Sequence, residues 1–179
     1  MEYAPSQQEI EAQGLALSSP PEIGRTIVTW EGDAEQIQSW CLLAVGHFAS
    51  PDLRWVSFVP PDRVRGLCCI LHNFSLNGDA ELIPVGTFGQ FNRDVRGCLA
   101  WWAFNLLNLR RITVRIRAGD RRLQEFARRL GLRHEGTQRA FYGPDEDCSL
   151  WGLTHDEARL LLLKREGARA PASSNARVH

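Results

Sequence analysis

Three sets of residues in this 179-residue chain have types and spacing that could carry chemistry. The first lies in the stretch FGQFNRDVRGCLAWW, residues 88–102, which joins a strand-like run to a very apolar helical one. Glycine, asparagine and the arginines Arg93 and Arg96 ahead of a helix are the ingredients of a phosphate cradle. The first turn of a helix presents unpaired N–H groups and the positive end of its dipole. The same residues also read as a plain turn, with Asp94 capping the helix and the arginines solvated. The second set is Arg115 and Arg117, which share one face of an alternating strand; they suit an acidic ligand if that face borders a cleft, and solubility if it faces water. The third is the cysteines Cys41, Cys68, Cys69, Cys98 and Cys148. Their number is odd, two are adjacent and no CxxC occurs, so reduced, buried thiols of a cytoplasmic protein are expected. Cys98 has no identifiable histidine partner, and a thiol nucleophile is not expected there.

The elements that must hold these groups follow from periodicity. Residues 25–30 (RTIVTW) read as a strand, and Asp33 as an N-cap with Gln36 three residues on. Ile37, Trp40, Cys41, Ala44 and Phe48 then recur at helical spacing. Residues 53–59 and 64–74 read as strands joined by a turn at 60–63 (PPDR). Asn77-Gly78 is a strong hairpin signal, so residues 80–88 should return antiparallel to 64–74. Residues 98–109 are apolar nearly all round and predict a buried helix. In residues 111–117, Ile112, Val114 and Ile116 alternate with polar neighbours, as in a half-covered strand. Asp120 and Gly131 bracket a helix with the stripe Leu123, Phe126, Ala127 and Leu130. Strands are expected at 132–142 and 148–153, and Thr154 with Glu157 forms a capping box that opens a last helix to about residue 164. This order predicts an α/β (α+β) chain with a mixed sheet covered by helices on both faces.

Length and composition set outer limits. The chain fits one domain, here drawn as residues 23–165, between an N-terminal arm (1–22) and a low-complexity tail (166–179). Its 21 basic and 21 acidic residues balance to zero. Ten arginines nevertheless crowd residues 110–139. Neutral overall charge argues against a nucleic-acid binder driven by bulk electrostatics. No signal peptide and no membrane-spanning run are read in the sequence.

With these elements in order, the chain resembles the GNAT (Gcn5-related N-acetyltransferase) superfamily over residues 25–153. The run RAGDRRLQEFARRLGLRHEGTQRAFYGPDEDCSLWGL (117–153) carries the likeness most strongly, through Leu130-Gly131-Leu132 and Glu135-Gly136. HNFSLNGDAEL with a later FNRDVRG is similar to GNAT-like proteins encoded by tailed bacteriophages. The resemblance implies a mainly antiparallel sheet with one splayed parallel strand pair, and acetyl-CoA held where that pair parts. It implies direct attack of an amine on the thioester, a carboxylate or water chain as base, and a tyrosine that protonates the leaving thiolate. Carried over by position, the cofactor set is Val85, Gly86, Arg93, Val95, Arg96, Gly97, Cys98 and Asp120. Glu81, on the returning strand near Asp79 and His72, is the candidate base; its plainer reading is an exposed strand residue beside a turn. Tyr142 is the candidate acid, because the family's tyrosine position falls on Ala127. The glycine loop also departs from the pattern, with Leu99 or Trp101 where glycine is expected.

Two functions follow from this resemblance. One is an acyl-CoA-dependent N-acetyltransferase with an eroded phosphate loop, acting on an amine or protein in the cytoplasm and using no metal. The other is a non-catalytic binding or structural protein, a virion component with phage or host proteins as partners. A nucleic-acid contact through the arginine cluster ranks below both.

Overall fold

Local signals account for most of the elements of this computed structural model, which describes residue 8 and residues 26–160 except 31 and 62–65. The expected arm apart from residue 8, the tail, part of the turn at 60–63 and the end of the last helix (161–164) lie outside the described residues. Strand β1 (Ile27–Thr29) leads to helix α1 (Ala34–Val45), whose N-cap Asp33 accepts from the Glu35 N–H. Strands β2 (Arg54–Val59), β3 (Leu67–His72) and β4 (Asp79–Gly86) form an antiparallel meander. Asn77-Gly78 sits in the β3–β4 turn, with Gly78 at φ 82°. Helix α2 (Arg93–Trp101) runs into a wider π turn at Trp102–Leu106. Strand β5 (Arg111–Arg117), helix α3 (Arg121–Leu130) and strands β6 (Arg133–Gly143) and β7 (Glu146–Thr154) follow. A last helix, α4, is described over 155–160. Its capping box is formed: the Glu157 carboxylate accepts from the Thr154 N–H and hydroxyl.

All seven strands make one sheet in the order β1-β2-β3-β4-β5-β7-β6, antiparallel except for β4 and β5. On one face α1 packs Ile37 and Cys41 against Trp55, Cys68, Ile70 and Ile83. On the other, α2, the π turn and α3 bury Leu99, Trp102, Phe126 and Leu130 with Ile112, Val114 and Ile116. The adjacent Cys68 and Cys69 point into these two different layers, as strand alternation requires. All five cysteines are buried and none forms a disulfide.

Two local expectations are corrected. Helix α1 ends at Gly46, in left-handed conformation at φ 82°, so Phe48 lies beyond it and is 62% exposed. Helix α2 starts five residues earlier than its apolar pattern suggests, because Asn92 is the N-cap and accepts from both the Asp94 and Val95 N–H groups at 2.9 Å. Asp94 is therefore in the first turn and is not the cap.

Gly86 closes β4 with a geometry only glycine tolerates. Its φ is +110°, and a Cβ there would sit 2.2 Å from the Gly66 carbonyl oxygen. A Gly86→Ala chain is expected to lose roughly 1–3 kcal/mol. Chemical denaturation should show a lower midpoint with an unchanged slope.

Candidate active site

The sheet forks between β4 and β5. These strands pair at Asp79↔Arg111, Ala80↔Ile112 and Glu81↔Thr113, and no further. Beyond Glu81, residues 82–86 of β4 and 114–117 of β5 make no ladder with each other. Each limb is held instead by its outer neighbour, β4 by β3 and β5 by β7. A parallel pair that parts halfway leaves two facing edges of backbone donors and acceptors, which are obligatory hydrogen-bonding groups.

Glu81 stands at the point where the fork opens, and it is 8% exposed rather than solvated. Arg115 reaches from the far limb to pair with its Oε2, and Asn73 Nδ2 donates to the same oxygen at 3.3 Å. His72, cross-strand from Glu81, places Nε2 at 3.9 Å from Oε2. Burial pushes the His72 imidazole below its ordinary range, and the neighbouring Glu81 only partly offsets this. The Ser50 N–H donates to His72 Nδ1 at 3.3 Å, which assigns the neutral tautomer with its proton on Nε2.

An aromatic roof lies over the same side of β5. The register between β6 and β7 slips after Gln138, and Ala140 takes φ 53°, so the strand bulges. Phe141 lies over the Arg115 guanidinium at 5.6 Å and Tyr142 over that of Arg117 at 4.6 Å. Burial and the Cys148 thiol beside it push the Tyr142 hydroxyl up to about 12, against the opposing pull of Arg117. Tyr142 thus keeps its proton throughout the neutral range. Because the folded value lies above the unfolded one of about 10, this group subtracts stability as pH rises from about 10 towards 12. In a Tyr3→Phe chain, phenolate absorbance should report Tyr142 alone, with a midpoint near 12. A midpoint near 10 would mean the hydroxyl is not shielded.

Past the open end of the fork, residues 87–92 bring the chain to α2. Phe88 and Phe91 both stack on Phe126 of α3, each at 4.8 Å between ring centroids. Arg122 of α3 lies over Phe88 at 4.8 Å. The start of α2 and the end of α3 then enclose a recess of about 260 Å³ lined by Phe91, Asn92, Arg93, Arg96, Arg128 and Arg129. Four guanidinium groups line it, and that of Arg128 is paired with Glu125. This donor set fits a diphosphate, since planar guanidinium forks match phosphate oxygens.

The residues expected around a cofactor divide among three places. Arg93 and Arg96 line the arginine recess. Val85 and Gly86 line a separate cavity of about 390 Å³ beneath Trp40, with Ser57, Val59 and Cys68. Val95, Gly97 and Cys98 are buried within α2, and the Val95 N–H is taken by Asn92. Asp120 caps α3 by accepting from the Leu123 N–H at 2.9 Å. Glu81 and Tyr142 come to the same side of β5, joined through the paired Arg115 and Arg117. Ala127 is fully buried and offers no hydroxyl. Arg128 and Arg129 were missed as members of the recess; basic residues ending a helix are already explained by its dipole.

Comparison with solved structures decides the architecture. The chain is similar to spermidine N-acetyltransferase from Vibrio cholerae, solved in complex with CoA and spermine, at TM-score 0.61 and 11% identity over 76% of this chain and 99% of that one. It is also similar to a GCN5-related N-acetyltransferase from Brucella melitensis, at TM-score 0.54 and 20% identity over 68% of this chain and 60% of that one. The fold is that of the GNAT acetyltransferases. At these identities the likeness concerns the fold alone. No protein-family model and no curated protein matches the sequence. The mostly antiparallel sheet with its one parallel pair, β4 and β5, matches the arrangement that the resemblance implied. Among the described residues, no helix is long and apolar enough to cross a membrane and no cluster of His, Cys, Asp and Glu could hold a metal ion.

Proposed function

We propose that this chain is an acyl-CoA-dependent N-acyltransferase that moves an acetyl group to an amine. The observation that carries the proposal is the fork: β4 and β5 part after Glu81, with an arginine-lined recess beyond the open end. Acetyl-CoA would supply the activated acyl group as a thioester. Arg93, Arg96, Arg128 and Arg129 would hold its phosphates through side chains, because Asn92 already takes the Asp94 and Val95 N–H groups. Glu81 accepts the proton of the acceptor amine, and Arg115 and Asn73 orient its carboxylate. Tyr142 holds a proton on its hydroxyl beside β5, available to a departing thiolate. The roof of Phe141 and Tyr142 limits water over this side of the fork.

The test is release of free thiol from acetyl-CoA in the presence of a panel of primary amines, including polyamines and a lysine peptide. Amine-dependent release supports the proposal, and its absence across the panel counts against it. A second reading, a non-catalytic binding protein such as a phage particle component, is favoured by one feature. The N-terminal donors of α2 are capped by the chain's own Asn92, so a ligand does not need to be there. Absence of any CoA binding, together with stoichiometric copies in purified particles, would favour that reading.

A further inference from the structure

The buried polar groups around Glu81 are incompletely used. His72 Nε2 and Arg115 Nε both lack a hydrogen-bond partner among the described residues, and both atoms are shut off from solvent. His72 as a whole is 1% exposed. An unpaired buried donor costs roughly 1–3 kcal/mol, so each calls for an explanation. A substrate cannot touch atoms that have no accessible surface. The group both can serve is the carboxylate between them. His72 Nε2 lies 3.9 Å from Glu81 Oε2, too far for a hydrogen bond and too near for a water in line between them. A small swing of the Glu81 side chain away from Arg115 would close that distance.

We propose that His72 is a positioning residue for Glu81, and that the carboxylate has two hydrogen-bonded positions, one on Arg115 and one on His72. The proposal rests on Glu81 being the proton acceptor of the reaction described above. In the observed position a guanidinium and an amide hold Oε2. A carboxylate held by a cation resists protonation, whereas one held by a neutral N–H donor does so less. The second position therefore readies Glu81 to take a proton while keeping it anchored. His72 is suited to the task because its proton is confined to Nε2 by the Ser50 N–H on the opposite nitrogen. The charged and titratable groups acting on His72 are Glu81, His47, Asp52 and Arg115.

The test does not depend on activity. In protein carrying ¹⁵N-labelled histidine, the Nε2–H proton of His72 is followed in the unaltered chain, in Arg115→Met and in Arg115→Met/Glu81→Leu, which has no acceptor at that place. The expected result is a downfield shift and slower solvent exchange in Arg115→Met, both reversed in the double variant. A resonance that stays unchanged on loss of Arg115 overturns the proposal, whether or not the chain binds CoA. If acetyl-CoA is turned over, His72→Leu should lower kcat by about a hundredfold with little change in KM. His72→Gln, which keeps an N–H donor at that place, should recover most of the loss. Equal loss in both variants would indicate a purely structural role and would also overturn the proposal.

Discussion

Glu81→Gln is expected to lower amine acetylation by about a hundredfold to ten-thousandfold, the range spanned by loss of a positioned general base. The amide keeps the shape of the side chain and can still accept from Asn73 and Arg115, so the fold should persist. What it loses is the capacity to take a proton. Arg115 then faces a neutral partner, but its side chain is 35% exposed and retains contact with water. The loss should therefore appear in kcat rather than in affinity for CoA, whose phosphates are proposed to sit in the arginine recess. A Glu81→Gln chain with full turnover would remove Glu81 from the mechanism and leave a water chain as the base.

The second large effect concerns the recess. Reversing Arg93 and Arg96 together to glutamate is expected to weaken CoA binding by about a hundredfold or more. Hydrogen bonds to charged groups are worth roughly 1.5–3 kcal/mol each, and tenfold in affinity corresponds to about 1.4 kcal/mol. Both side chains lie at the start of α2, where Arg96 donates to the Arg129 carbonyl at 3.2 Å. The remaining affinity should also depend less on salt, since fewer charge contacts are screened. Calorimetric titration of CoA into both proteins at two salt concentrations measures this. Unchanged affinity would place the phosphates elsewhere.

Elements whose signals are local were legible in the sequence. Asn77-Gly78 turned β3 into β4, and Asp120 and Gly131 bracketed α3. The alternation of Ile112, Val114 and Ile116 gave β5 its buried face. The start of α2 was read late because its first turn, Arg93 and Asp94, carries no apolar periodicity. Its cap, Asn92, looked instead like a member of a ligand loop. The surroundings of Glu81 were hidden for a different reason: His72 at the end of β3, Asn73 just past it and Arg115 on β5 meet around one carboxylate on β4, so a residue whose plainer reading was exposed is buried and paired. The recess likewise joins Arg93 and Arg96 to Arg128 and Arg129 across two helices distant in sequence. Register and helix docking create such sites, and neither is written in any single window of residues.

On the proposed function, the fork and the recess together hold an acyl-CoA. Backbone hydrogen exchange with and without CoA tests it directly, because ligand contacts slow the opening of the amides they cover. The expected result is protection at residues 82–86 and 114–117, and at 91–96 beside the arginines. No protection at these segments, or protection confined to other strands, would contradict the account.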